Sequence, residues 1–264
     1  MISFDKYHGA GNDFLLLDGR EKLPFSLDRH DFIADLCSRR FGVGADGLMV
    51  LSHKTDYDFE MHYFNADGHS GSMCGNGGRC IVTFAHKLGI RPQSADGLYH
   101  FLAVDGPHRA RLLENGQVEL EMQPVSDIDQ LGEDCILDTG SPHFIRWVPD
   151  VGELEVLAQG QSIRYSPTYE KVGINVNFVQ RVNGDTLLIR TYERGVEGET
   201  YACGTGVTAA AIAHVKDRPA ADYQIKVQAR GGDLSVRLKW DGQTASAIWL
   251  IGPTQHIYSG QLAH

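Results

Sequence analysis

No stretch of about 18 consecutive apolar residues occurs in this 264-residue chain, and its N-terminus has no basic segment followed by an apolar one. Both a helical membrane span and a signal peptide are excluded on that reading, and a cytoplasmic location with no membrane partner is expected. The chain is also short of positive charge, with 24 Lys and Arg against 34 Asp and Glu and a net charge of −10. The cations are scattered, so a nucleic-acid surface is not expected. Five cysteines, an odd number, are too few for a disulfide scaffold, and no pair has C-x-x-C spacing. They read as reduced thiols, and neither a zinc site nor a thioredoxin-like site is expected. No lysine motif for pyridoxal phosphate is evident, so no cofactor and no metal are expected.

What the chain does have is alternation with period two, as in half-buried strands. Phe59-Glu60-Met61-His62-Tyr63, Val118-Glu119-Leu120-Glu121-Met122 and Leu234-Ser235-Val236-Arg237-Leu238-Lys239-Trp240 are examples. The dipeptides Asn115-Gly116, Asn183-Gly184, Gly231-Gly232 and Asp241-Gly242 suit hairpin turns. Helical pattern is scarcer. Asp28 is a candidate cap for a helix through Leu36 and Cys37, and Ile81, Phe84, Ala85 and Leu88 share one helical face with Gly89 as the stop. Val207 to Val215 is apolar nearly all round, as expected of a helix surrounded by protein.

The last two helices each follow a Cys-Gly-x-Gly element, Cys74-Gly75-Asn76-Gly77 and Cys203-Gly204-Thr205-Gly206, 129 residues apart. A strand-like segment precedes each, Phe59 to Phe64 and Leu187 to Tyr192. A duplicated unit is the economical reading. The expected fold is α/β (α+β) with two pseudo-symmetric domains, each a mostly antiparallel mixed sheet around a central helix. The expected halves are 1–116, carrying Cys74, and 117–251, carrying Cys203.

A helix N-terminus offers unpaired amides and the positive end of the helix dipole, which favour an anion or a thiolate. Two such elements facing one bound molecule would set two sulfur bases on opposite sides of an α-carbon. One thiolate would remove the α-proton and the opposite thiol would return a proton to the other face. Charge pushed into the carboxylate would be held by the helix-end amides. Cys37 and Cys135 read instead as small buried hydrophobes. Cys80, six positions after Cys74, should face away from the site and pack.

An ordered set of elements extends over essentially the whole chain. It runs His8-Gly9-Ala10-Gly11-Asn12-Asp13-Phe14, Phe41-Gly42-Val43-Gly44-Ala45-Asp46-Gly47, Phe64-Asn65-Ala66-Asp67-Gly68 and Cys74-Gly75-Asn76-Gly77-Gly78-Arg79. It continues with Gly140-Ser141-Pro142-His143, Asn175-Val176-Asn177-Phe178, Glu193-Arg194-Gly195 and Ala202-Cys203-Gly204-Thr205-Gly206. This set resembles the diaminopimelate epimerases, cofactor-independent enzymes that interconvert LL- and meso-2,6-diaminopimelate for lysine and peptidoglycan precursor biosynthesis. The resemblance implies a homodimer and a C-terminal strand (about 252–264) returning to the first domain. It implies that Cys74 and Cys203 are the acid/base pair, and that Gly75, Asn76, Gly204 and Thr205 hold the reacting carboxylate through backbone donors. Asn12, Asn65, Asn175 and Arg194 would grip the substrate, with Arg194 on the distal carboxylate. Glu193 would bind an ammonium group and, with His143, tune the cysteines.

Read from the residues alone, Asn12 and Asn65 are also ordinary turn residues, His143 a structural hydrogen-bonding histidine, and Glu193 with Arg194 a surface ion pair. Two positions depart from the family pattern: many members carry Asn where Ser141 stands and Gln where Gly47 stands. Rival readings are a proline, hydroxyproline or histidine racemase of the same fold, a relative of the phenazine-biosynthesis type, and a non-enzymatic thiol redox switch. Asn76, where proline racemases typically carry His, and Ala202 count against the first. The presence of both cysteines counts against the second.

Overall fold

The computed structural model describes residues 1–71 and 73–263. The chain divides into two compact units, Met1–Leu120 with Pro253–His264, and Glu121–Gly252. The first unit opens with β1 (Ile2–Gly9) and β2 (Asn12–Asp18), then α1 (His30–Cys37), β3 (Gly47–Ser52), β4 (Phe59–Asn65) and α2 (Gly75–Lys87). β5 (Tyr99–Ala103), β6 (Gly106–Leu112) and β7 (Val118–Met122) follow. The second unit holds β8 (Ile128–Leu131), β9 (Asp134–Asp138), β10 (Pro142–Trp147), α3 (Val156–Arg164), β11 (Asn175–Asn183) and β12 (Thr186–Glu193). Then come β13 (Gly198–Thr200), α4 (Gly204–Val215), β14 (Ala221–Ala229), β15 (Gly232–Trp240) and β16 (Ala245–Gly252). The last strand, β17 (Gln255–Leu262), pairs with β1 and belongs to the first unit.

The duplication is written in the pairing senses. From β17 through β1, β2, β3, β4, β5 and β6 to β7, successive pairs are antiparallel, antiparallel, parallel, antiparallel, parallel, antiparallel, antiparallel. From β8 through β9, β10, β11, β12, β14 and β15 to β16 the same seven senses recur in the same order. In this correspondence β17 takes the place in unit one that β8 takes in unit two.

Each sheet curls around its helix. α2 packs on β1, β2, β3 and β6, and α4 on β9 to β12 and β14 to β16. Burial follows from this. β3 is apolar on both faces because α2 covers one and α1 the other, and Leu48 and Val50 sit in the α1-side core with Ile33 and Leu36. α4 is enclosed, with every residue from Val207 to Val215 buried, as its all-round apolar sequence requires. β15 keeps strict alternation because only one of its faces is covered.

Two local expectations are corrected, and one helix is added. The residue that starts α1 is Arg29, and no side chain caps that helix; Asp28 instead accepts from Ser26 Oγ at 3.2 Å. The β14–β15 turn runs through Arg230-Gly231, because Ala229 pairs with Gly232. α3 was not foreseen. Only Val156, Gly160 and Ile163 of it are buried, a thin stripe interrupted by glycine. The glycine is there for contact, since a Cβ on Gly160 would lie 2.4 Å from Tyr192 Cβ. α3 covers the outer face of β10–β12 with Phe144, Val176, Phe178 and Tyr192, as α1 does in the first unit.

Candidate active site

Each unit builds the N-terminus of its central helix in the same way. Cys74 precedes α2 with φ −106° and ψ 122°, and Cys203 precedes α4 with φ −109° and ψ 113°. The first intrahelical bonds run from Gly78 N–H to Cys74 O at 2.7 Å and from Val207 N–H to Cys203 O at 2.9 Å. The amides ahead of these bonds, on residues 75–77 and 204–206, point out of the helix end. Neither cysteine uses its side chain as a cap.

The glycines divide the work. A Cβ on Gly77 would press on Met49 Sδ at 3.2 Å, and one on Gly206 would meet Asn177 Oδ1 at 2.3 Å. The last glycine of each element therefore lets the helix end sit against the sheet. Anion access is left to the first two positions of each helix.

In the first unit, Asn12 Nδ2 donates to Asp46 Oδ2 at 2.6 Å. A carboxylate only accepts, so the other end of the amide is fixed: Asn12 Oδ1 faces Cys74 Sγ and Asn76 Nδ2, each at 3.5 Å. Asn76 is oriented in turn by Arg79, whose Nη2 donates to Asn76 Oδ1 at 2.8 Å. Arg39 bridges Asp46 and Asp13 at 2.7 Å each, and buried Lys6 pairs with Asp13 at 2.7 Å and donates to Gly44 O. Arg39 and Lys6 hold the Asp13 carboxyl far below the usual carboxylate range against the opposing effect of burial. Asp46 carries no role in the sequence reading, although it lies within one of the quoted elements.

Asn65 ends β4 at a turn closed by Gly68 N–H to Asn65 O at 2.9 Å, and it pairs across the ladder with Gly47. A Cβ on Gly47 would lie 2.6 Å from Phe64 O and 2.6 Å from the Tyr63 ring, and one on Gly71 would lie 2.5 Å from the same ring. Tyr63 thus occupies the space that a side chain at position 47 would need. Gly47→Gln should destabilise the chain by about 1–3 kcal/mol in urea unfolding. Adding Tyr63→Ile should recover only part of that, because Phe64 O does not move with the ring. Full stability of the single variant would contradict the packing described.

In the second unit, Cys203 is buried and its Sγ lies 3.4 Å from Thr205 Oγ1. Behind it, Asn177 Oδ1 accepts from Thr191 Oγ1 at 2.9 Å, so Asn177 Nδ2 donates to His143 Nδ1 at 3.0 Å and to Phe144 O at 3.2 Å. His143 is fully buried, and desolvation pulls it down to about 3, with the nearby Arg194 charge adding to the shift. It is a neutral imidazole with its proton on Nε2, and Nε2 has no partner among the described residues. A second cluster joins Ser141, Asn175 and Arg194. Ser141 Oγ accepts from Asn175 Nδ2 at 3.1 Å and from Arg194 Nη2 at 3.2 Å, while Asn175 Oδ1 accepts the Arg194 N–H at 2.9 Å. The short serine is thus a tether for the exposed Arg194. Glu193 Oε2 accepts from Thr200 Oγ1 at 2.8 Å. Asn177 and Thr200 are further residues to which the sequence reading gave no role. Among the described residues, no group of three or more His, Cys, Asp or Glu could hold a metal ion.

The family model described as diaminopimelate epimerase matches residues 4–125 and 135–257. The chain belongs to the diaminopimelate epimerase family. A diaminopimelate epimerase of Flavobacterium psychrophilum is 40% identical over 96% of this chain and 97% of its own length, and one of Chlorobaculum tepidum is 41% identical over 96% and 98%. The one from Aquifex aeolicus is 37% identical over 99% and 98%. Among solved structures, a Bacillus anthracis phenazine biosynthesis protein of the PhzF family superposes with a TM-score of 0.75 at 13% identity, covering 100% of this chain and 99% of that one. A probable proline racemase from Agrobacterium radiobacter gives a TM-score of 0.70 at 15% identity, covering 100% and 93%. At those identities the likeness is one of fold, and it extends the paired-sheet architecture beyond the epimerase family.

Proposed function

We propose that this isomerase interconverts LL- and meso-2,6-diaminopimelate without a cofactor, with Cys74 and Cys203 acting as two bases on opposite sides of one α-carbon. The observation that carries the reading is the matched pair of helix ends, two cysteines with φ and ψ within 10° of each other at the starts of α2 and α4. One thiolate takes the α-proton while the opposite thiol donates its own. The resting pair holds one proton, so its titration belongs to the pair. Negative charge moving into the carboxylate is met by the outward amides at Gly75, Asn76, Gly204 and Thr205.

The polar residues fit a substrate with an ammonium and a carboxylate at both ends. Asn12 and Asn65 offer both donors and acceptors without net charge. Arg194, steadied by Ser141 and Asn175, suits a bidentate contact with the distal carboxylate. Glu193 takes an ammonium group. His143, neutral and buried, acts on the Cys203 side through its dipole rather than through a charge. We further propose a cytoplasmic homodimer. β17 supports that reading: it pairs with β1 along one side and exposes Ile257 and Tyr258. Sedimentation should give twice the chain mass. Incubation with either LL- or meso-diaminopimelate, followed by chiral chromatography, should reach the same mixture from both sides; an unchanged LL isomer would overturn the reading.

A further inference from the structure

Arg79 is among the largest fully buried side chains of the described residues. Its guanidinium folds back along α2 toward the helix N-terminus, where Nη1 donates to Gly75 O at 3.0 Å and Nη2 to Asn76 Oδ1 at 2.8 Å. Nε is buried with no acceptor, and among the described residues no carboxylate pairs with the group. Lys6, also buried, is treated differently and has Asp13 at 2.7 Å. A buried cation without a counterion is costly, and arginine cannot escape the cost by losing its proton.

Among the described residues, the ionisable groups whose charge would favour the Arg79 cation are the thiols of Cys80 and Cys74. Cys80 is completely buried, and desolvation pushes its thiol far up, so it stays protonated. That leaves Cys74. The second unit supplies a comparison within the same chain. Thr208 stands five positions after Cys203, as Arg79 stands five after Cys74, and Thr208 Oγ1 donates to Gly204 O at 3.0 Å. The same helix-end carbonyl is satisfied there by a neutral hydroxyl. Hydrogen bonding alone therefore does not require an arginine at this position; the charge is the difference. Asn12 Oδ1, an acceptor 3.5 Å from Cys74 Sγ, works the other way. A long contact from one carbonyl dipole to sulfur is weaker than a full buried charge.

We infer that Arg79 is a positioning residue that supplies a fixed positive charge to the Cys74 half-site, with the Cys74 thiolate as its counterion at rest. The charge makes the two otherwise matched half-sites unequal and adds to the α2 dipole where the substrate carboxylate would arrive. Its effect on turnover rests on the proposed epimerase reading; its effect on the thiol does not.

The test uses the full chain with Cys203→Ala, and follows iodoacetamide alkylation of Cys74 against pH by peptide mass spectrometry. Arg79→Gln, which keeps a hydrogen-bonding side chain and removes the charge, should raise the alkylation midpoint by about one pH unit or more, a tenfold smaller thiolate fraction at neutral pH. Arg79→Lys, which keeps the charge with fewer hydrogen bonds, should stay near the midpoint seen with arginine. An unmoved midpoint in Arg79→Gln, or an equal rise in both variants, would overturn the inference, the second because it would trace the effect to the fork's hydrogen bonds. Arg79→Gln in the chain with both cysteines should also lower kcat. A native chain that fails to epimerise diaminopimelate but shows the alkylation shift would sink the proposed function and leave the role of Arg79 standing.

Discussion

Cys74→Ala should abolish epimerisation, with turnover falling by on the order of 10³-fold or more, and Cys203→Ala should do the same. Each cysteine supplies the thiol that directly precedes its helix, and neither Asn12 beside Cys74 nor Thr205 beside Cys203 carries a comparable acid. In the first unit the Asn12 amide oxygen lies 3.5 Å from Cys74 Sγ, and an amide cannot exchange a proton in place of a thiol. In the second, Thr205 Oγ1 lies 3.4 Å from Cys203 Sγ, but a hydroxyl is far too weak an acid to hold a negative charge at neutral pH. Serine at either cysteine keeps the size and loses the acidity, so it should be nearly as inactive as alanine. Neither substitution removes a hydrogen bond that starts α2 or α4, so the fold should persist. Full steady-state activity in either variant would contradict the two-base scheme.

The second large effect concerns stability in acid. His143 is buried and neutral, with its proton affinity pulled down to about 3 by desolvation and by Arg194. In the unfolded chain the same imidazole titrates near 6.5. Between these values the unfolded state binds a proton that the folded state refuses, so stability falls as the pH drops. The contribution is intact above pH 6.5, erodes by about 1.4 kcal/mol per pH unit below it, and totals roughly 5 kcal/mol by about pH 3. Asp13 adds to this at the lower end. Its carboxyl is held down in the folded chain, so its stabilising pairs are present above the unfolded value and lost as pH falls through the folded one. Urea denaturation at pH 7, 6, 5 and 4 should show the decline, and His143→Gln should flatten it. Equal slopes with and without His143 would show that the imidazole takes up protons in the folded state.

The sequence made the repeat legible because its strongest signals are chemical. Two Cys-Gly-x-Gly elements before apolar helical runs are rare, and the strands around them alternate cleanly. Phe59 to Tyr63 lies within β4, Val118 to Met122 is β7, and Leu234 to Trp240 lies within β15. What was hidden depends on contacts distant in sequence. α3 has only a thin buried stripe, and its Gly160 reads as a breaker until the Tyr192 ring is seen against it. Asp46 looks like a turn residue, and only the β2–β3 pairing brings its carboxylate to Asn12. The departures at Gly47 and Ser141 look like losses in the sequence. In the fold, Tyr63 fills the space over Gly47, and Ser141 holds Arg194 and Asn175. The role of the last glycine in each element was also obscured, because both uses of glycine, access and packing, look the same in one dimension.

Cys74 and Cys203, in the proposed reaction, exchange the α-proton of diaminopimelate with solvent. The most direct measurement incubates the native chain, under reducing conditions, with LL- or meso-diaminopimelate in D₂O and follows deuterium at the α-carbon by mass spectrometry. Deuterium should enter the inverted product from either isomer, and this incorporation should be lost in Cys74→Ala and Cys203→Ala. No deuterium in product from the native chain, or inversion that keeps the original proton, would contradict the proposed reaction.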